Sequence, residues 1–157
     1  MTRIAINGAA GRMGRRIAAL AIESERFDIV SALEMPGHEA MGRDIGELAG
    51  VGAFGVALSE KLTGSPEVVI DFSLPEGTAA ALETCLDRGI AMVIGTTGLT
   101  ESQLAAVADA AATLRIVHAS NYSLGINLLS KLAALAARTL GEGYDVEIGR
   151  ASCRERV

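Results

Sequence analysis

Three glycines near the start of the chain, Gly8, Gly11 and Gly14, are spaced G-x-x-G-x-x-G and follow an apolar run. That run, Arg3-Ile4-Ala5-Ile6, suits a buried parallel strand, and Met13, Ile17, Leu20 and Ala21 then recur at helical spacing. A turn of this kind uses one glycine for its tight backbone, one where a ligand meets the main chain, and one where helix and strand touch. The helix N-terminus offers unpaired N–H groups and a positive dipole end to an anion. Gly8-Ala9-Ala10-Gly11-Arg12-Met13 therefore reads as a pyrophosphate cradle, a variant of the dinucleotide fingerprint, although glycines so spaced also serve ordinary turns. Glu34 is the second feature. It ends the next strand-like run, about twenty residues after Gly14, where a carboxylate accepts hydrogen bonds from ribose hydroxyls. A carboxylate there repels a 2′-phosphate, and Met35 after it brings no charge, so of NADH and NADPH the first is favoured. Arg12, Arg15 or Arg16, in the glycine turn and the helix it opens, are the candidates to offset it.

Two later segments occupy comparable positions. Gly95-Thr96-Thr97-Gly98 lies between a strand and a helix, and its small residues and N–H groups suit a carboxamide or a ribose. The same residues make an ordinary strand-to-helix turn. Ala119-Ser120-Asn121-Tyr122-Ser123 repeats the placement, with Asn121 and Tyr122 offering a polar contact and a ring edge. Asp71 reads as a strand-end residue fixing the turn at Ser73 in preference to a catalytic acid. His118, in an apolar run with no evident catalytic partner, reads as structural and His38 as solvated. Cys85 reads as a small hydrophobe within a helix. No set of residues has the spacing of a metal site or a catalytic triad.

The elements that position these segments alternate. Residues 27–33 form a second strand, and a glycine-rich stretch from 35 to 55 carries a short helical turn near Glu47. Val68-Val69-Ile70-Asp71-Phe72 is a strand, and Ser73-Leu74-Pro75-Glu76 has the S-x-x-E capping-box pattern with proline in the first turn. The helix it opens ends near Gly89. Residues 90–94 form a strand, and Thr100-Glu101-Ser102-Gln103 caps a helix to about Thr113. Residues 114–117 form a last strand, and residues 124–140 a long helix with Leu128, Leu132, Leu135 and Ala136 on one face. Strand–helix alternation predicts an α/β fold, a Rossmann-like doubly wound parallel sheet. Each polar motif follows a strand, so all should line one edge of the sheet.

Composition narrows the function classes. The 157 residues are 50% hydrophobic and 21% charged, which suits a globular chain. The formal charge of −5, from 14 basic and 19 acidic groups, argues against a nucleic-acid surface. No run approaches the roughly 20 apolar residues of a membrane span, and no signal peptide is visible. Two cysteines without a framework fit the cytoplasm.

The run from Ile4 to Arg15 resembles the N-terminal signature of the dihydrodipicolinate reductase family. So do the runs from Ile70 to Thr78, from Val93 to Gly98 and from Ala119 to Asn127. The likeness extends from Met1 to about Ile148. It implies cofactor contacts from Gly8, Ala9, Ala10, Gly11, Arg12 and Met13, from Glu34, from Gly95, Thr96 and Thr97, and from Ala119, Ser120, Asn121 and Tyr122. It also implies hydride transfer from NAD(P)H to a small cyclic dicarboxylate, with loss of water, in lysine and diaminopimelate synthesis. Many members carry arginine at the position of Met35, so this chain departs from their NADPH site. A stand-alone NAD(H)-sensing module is the alternative from another class. A semialdehyde or homoserine dehydrogenase is the alternative among enzymes.

A larger departure follows Ile148. The family continues into a His-His-Arg-x-Lys stretch and a Ser-Gly-Thr loop, which supply the acid, the clamp for the substrate carboxylates and the start of a tetramer-forming domain. This chain reads Gly149-Arg150-Ala151-Ser152-Cys153-Arg154-Glu155-Arg156-Val157 instead. With Glu147 and Ile148, that string looks like the translation of a common DNA sequencing adapter. The expectation is a dinucleotide-binding domain over 1–148, a non-native tail over 149–157, and no substrate or tetramerisation domain. Such a chain binds cofactor without turnover, and a homotetramer is expected of the full-length protein alone. Without the tail the charge is −7, from 11 basic and 18 acidic groups, and Cys153 carries no functional weight.

Overall fold

A computed structural model describes residues 1–145, which divide into two compact units, one ending at Ser120 and the other starting at Asn121. The adapter-like run from Glu147 onward lies outside the described residues.

The first unit is a six-stranded parallel sheet: β1 Thr2–Asn7, β2 Phe27–Leu33, β3 Leu58–Ser59, β4 Val68–Asp71, β5 Ala91–Ile94 and β6 Ile116–His118. Its order is β3-β2-β1-β4-β5-β6, the doubly wound arrangement whose direction reverses between β1 and β4. The helices are α1 Arg12–Glu23, α2 Ile45–Ala49, α3 Pro75–Arg88 and α4 Glu101–Ala110. The two-residue strand β3 had no signal of its own in the sequence, because so short a run shows no periodicity.

Alternation along the strands builds two cores. Ile4 and Ile6 of β1 face one side with Ala18 and Ala21 of α1, Ile29 and Ala32 of β2, and Ile45 and Leu48 of α2. Ala5 faces the other side with Val69, Met92 and Ile94 of the sheet, Leu82 and Cys85 of α3, and Val107 of α4. The face that α1 buries is made of Gly14, Ala18, Ala19 and Ala21, whereas Met13 and Leu20 point outward. Small residues win that face because α1 must sit close to β1. A Cβ on Gly14 would lie 2.2 Å from the Gly8 carbonyl oxygen and 2.6 Å from Ala9 Cα.

One helix start differs from expectation. No capping box forms at Ser73: the N-cap of α3 is Leu74, with no side-chain cap and with Pro75 in its first turn. The Ser73 hydroxyl is drawn away because it donates to Asp71 Oδ1 at 2.6 Å. At Thr100 the box is complete, with Thr100 Oγ1 accepting from the Gln103 N–H and Gln103 Oε1 accepting from the Thr100 N–H. Gly89 closes α3 in the left-handed region, at φ +67°.

The second unit carries α5, Leu124–Leu140, started by Ser123, whose Oγ accepts from the Ile126 N–H, and followed by a 3₁₀ turn over Gly141–Gly143. Leu128, Leu132 and Leu135 of its apolar face are exposed. Among the described residues no helix is long and apolar enough to cross a membrane.

Candidate functional site

Parallel pairing brings the strand ends into one row. Leu33 pairs with Asn7, Asn7 with Asp71, Asp71 with Ile94, and Ile94 with His118. The glycine turn, Glu34, the Gly95 segment and Ala119 each follow a member of that row, at the edge where ligands of such sheets collect. The ladder even continues past the strands: the Gly95 N–H donates to the Asp71 carbonyl at 2.8 Å and the Ala119 N–H to the Ile94 carbonyl at 3.2 Å.

The first turn is closely built. Gly8 takes φ +76°, and a Cβ there would lie 2.5 Å from the Phe72 carbonyl oxygen, so both its conformation and its packing demand glycine. The N–H groups of Gly8 and Ala9 donate to the Leu33 carbonyl at 3.0 and 2.9 Å, and that of Gly11 to the Gly8 carbonyl at 3.1 Å. Ala9 and Ala10 are buried, so they shape the turn from inside. Gly11 is different: it is exposed, and a Cβ on it would have one close neighbour, the Gly8 carbonyl oxygen at 3.2 Å. The fold uses the missing side chains of Gly8 and Gly14 internally and leaves that of Gly11 facing outward.

Gly11 is also the N-cap of α1, which has no side-chain cap and no acidic residue in its first turn. The helices α2, α3 and α4 each carry a glutamate there, Glu47, Glu76 and Glu101. In their place α1 has Arg12, a cation at the positive end of its dipole. The first N–H groups of a helix have no intrahelical acceptor. An external anion there would satisfy both the N–H groups and the charge.

Glu34 reaches back to the turn. Its Oε2 accepts from the Ala10 N–H at 2.9 Å and its Oε1 from the Met35 N–H at 3.0 Å. The carboxylate is thereby fixed beside the glycine turn with lone pairs to spare, since each oxygen accepts more than one hydrogen bond. Arg15 Nε donates to the Ala10 carbonyl at 2.7 Å, which spends that guanidinium N–H on the turn itself. A groove of about 990 Å³ opens here and takes in Gly8, Ala10, Gly11 and Glu34, with Met35 and Lys61 on the β2–β3 side and Leu74 on the α3 side. The groove also takes in Phe72, and none of Phe72, Lys61 and Leu74 carries a site signal of its own in the sequence. Phe72 and Leu74 sit in the family-like run from Ile70 to Thr78 without an implied cofactor contact, and Lys61 lies in a stretch that the sequence pattern does not assign.

The Gly95 segment presents a different surface. A Cβ on Gly95 would lie 2.2 Å from Cε1 of Phe72, so the missing side chain there serves the aromatic ring. Thr96 is buried and its hydroxyl donates to Asp71 Oδ2 at 3.0 Å, while Thr97 is exposed. What this segment offers a ligand is main chain and Thr97. Asp71 fixes the Ser73 turn, as its place at the strand end suggests, accepting from the Ser73 N–H and hydroxyl.

His118 lies exposed at the end of the edge strand β6, without the burial that a structural reading implies. His38 is half-buried, its Nδ1 accepting from the Ala40 N–H at 3.1 Å, so it holds a turn and is not simply solvated. Cys85 is buried, and desolvation, with the Asp71 charge behind it, pushes its thiol up to about 11. Asn121 and Tyr122 belong to the second unit. There Asn121 Oδ1 accepts from the Ser123 N–H at 2.7 Å and its carbonyl from Asn127 Nδ2 at 3.1 Å, so Asn121 organises the start of α5.

The sequence pattern of the N-terminal part of dihydrodipicolinate reductases matches residues 2–122. The chain belongs to this family. It is 49% identical over 159 residues to the 4-hydroxy-tetrahydrodipicolinate reductase of Alkalilimnicola ehrlichii, covering 99% of this chain and 60% of that protein. It is 42% identical to the reductase of the same description from Acinetobacter baumannii, covering 99% and 58%. The chain thus spans a little under two thirds of these relatives. A solved structure, the dipicolinate-bound dihydrodipicolinate reductase from Paenisporosarcina sp. TG-14, superposes with a TM-score of 0.69 at 27% identity, over 87% of this chain and 53% of that one. Within this dihydrodipicolinate reductase domain, a nicotinamide dinucleotide is the ligand class that the nucleotide-binding fold of the family takes.

Proposed function

We propose that residues 1–148 form the dinucleotide-binding domain of a 4-hydroxy-tetrahydrodipicolinate reductase and that the row of strand ends holds NADH or NADPH. The carrying observation is the contrast among three glycines of one turn. Gly8 and Gly14 are filled by the fold's own backbone, while Gly11 faces outward at an uncapped helix start. The N–H groups at the start of α1 receive the pyrophosphate, and Gly11 keeps the approach open. Glu34 accepts the hydroxyls of the adenosine ribose, and its charge beside the uncharged Met35 favours NADH over NADPH. Gly95, Thr96 and Thr97, with Ala119 and Ser120, form the nicotinamide side of the site. The bound cofactor supplies a hydride, and the substrate of the whole reductase is a small cyclic dicarboxylate of lysine and diaminopimelate synthesis in the cytoplasm. Full-length protein assembles as a homotetramer, and the chain on its own binds cofactor without turnover.

Gly11→Val is the test. The added side chain stands where the pyrophosphate must pass and meets little of the protein, so the variant stays folded and its NADH affinity falls at least about tenfold, or ~1.4 kcal/mol. A folded variant that titrates with NADH as the parent chain does removes the site from the glycine turn.

A further inference from the structure

Asp71 is fully buried at the end of β4, and its described hydrogen-bond partners include no cation. Its Oδ1 accepts from Asn7 Nδ2 at 2.8 Å, from Ser73 Oγ at 2.6 Å and from the Ser73 N–H at 3.3 Å. Its Oδ2 accepts from Thr78 Oγ1 at 2.5 Å and from Thr96 Oγ1 at 3.0 Å. A carboxyl group so far from water is costly unless donors meet its lone pairs, and here both oxygens are met.

The donors come from different places in the fold. Asn7 ends β1 and immediately precedes Gly8, and its Nδ2 also reaches Ser73 Oγ at 3.1 Å and the Gly77 carbonyl at 3.2 Å. Thr96 sits in the loop after β5, and beyond Asp71 its hydroxyl has a longer contact of 3.4 Å to the Ser73 carbonyl. Ser73 and Thr78 belong to the turn into α3 and its first turn. A hydrophobic residue at position 71 would fill the same space, but it would tie none of these segments together. The hub joins the glycine turn after β1 and the Gly95 loop after β5, which lie on opposite sides of β4.

We propose that Asp71 is a positioning residue for the dinucleotide: it sets the spacing between the glycine turn and the Gly95 loop, and hence between the pyrophosphate and nicotinamide ends of the cofactor. The proposal rests on the dinucleotide reading given above. The hub has two separable arms. The Asn7 arm fixes the turn that both halves of the cofactor need. The Thr96 arm fixes a loop that only the nicotinamide end reaches.

The experiment titrates the 157-residue chain and its Thr96 variants with NADH and with ADP, which carries adenosine and pyrophosphate but no nicotinamide riboside. Thr96→Val keeps the shape of the side chain and deletes its hydroxyl. It is expected to weaken NADH about tenfold and to leave ADP within about twofold, and Thr96→Ser, which restores the hydroxyl, is expected to recover NADH binding. A residue acting through stability alone would move both ligands together. Equal losses for NADH and ADP, unchanged NADH binding in Thr96→Val, or no recovery in Thr96→Ser each overturn the proposal. Should Thr96→Val fail to fold, Thr96→Ala deletes the hydroxyl without crowding and is read the same way. A parent chain that binds neither ligand overturns the dinucleotide reading and this proposal with it, whereas a parent that binds both leaves the Thr96 result to decide the proposal alone.

Discussion

The helices α1 and α4 each follow a parallel strand and a glycine-bearing turn, yet their N-termini are finished in opposite ways. Thr100 and Gln103 satisfy the start of α4 from within the chain, and Glu101 adds a negative charge at its positive end. At α1 the N-cap is a glycine, no side chain takes the cap, and the first charged residue is Arg12. A helix that only has to fold gains from a cap; one that has to receive an anion must leave the place open. The same division separates the turns themselves. Gly95 makes room for the Phe72 ring, which belongs to the protein, whereas the one near neighbour of a side chain at Gly11 would be the Gly8 carbonyl oxygen, at 3.2 Å.

Substitution at the glycines should widen that contrast, with the largest effect at Gly14. A side chain there collides with the backbone at Gly8 and Ala9, which cannot swing aside as a flexible side chain does. Gly14→Val should therefore cost ~3 kcal/mol or more by overpacking, read as a lower midpoint in denaturant unfolding. Gly11→Val, three residues earlier, should leave that midpoint nearly in place while NADH affinity falls. Comparable loss of stability in both variants would erase the distinction between a glycine kept for packing and one kept for a ligand. The smaller counterpart lies at α4. Thr100→Ala removes a cap and should lower stability by about 1 kcal/mol, with NADH affinity unchanged. A fall in NADH affinity would mean that the capped helix, too, takes part in the site.

Much of this arrangement was readable from residue order. The alternation of strands and helices gave the sheet, and the ends of α5, Leu124 and Leu140, follow from the Ser123 cap and from Gly141. The Gly8, Gly11, Gly14 spacing located the turn. What the spacing left open was which glycine serves what, since that depends on Phe72 and Ser73, some sixty residues away, lying against Gly8. Ser73-x-x-Glu76 misled for a related reason. A local pattern competes with tertiary partners, and the buried carboxylate of Asp71 is a stronger acceptor for the Ser73 hydroxyl than a capping geometry is a use for it. Helical spacing likewise named Met13 and Leu20 as apolar positions but not the side they face, because the close approach at Gly14 selects alanines for the buried face. The hub at Asp71 was only partly visible: Ser73 is its sequence neighbour, while Asn7 and Thr96 join it through the register of β1, β4 and β5.

The smallest expected effect distinguishes the two kinds of helix start by their response to acid. At α2 the cap is a carboxylate, Asp44, whose Oδ1 accepts from the N–H groups of Gly46, Glu47 and Phe54 and whose Oδ2 accepts from that of Gly55. The Phe54 N–H, with smaller contributions from Gly55, Glu47 and Gly46, holds its pKa below the usual aspartate value against a partly opposing desolvation. A carboxylate with a depressed folded pKa stabilises the fold above its unfolded value, near 3.9, and that contribution is lost as pH falls through the folded pKa. Below about pH 4 the loop from Asp44 to Gly55 should therefore loosen, seen as faster amide exchange at Phe54 and Gly55 once the intrinsic pH dependence is divided out. In Asp44→Asn the acid step should disappear, because no proton is taken up there. The amides at the start of α1 have no carboxylate cap to lose and should show no matching step, and a common acid transition at both helix starts would place its cause outside Asp44.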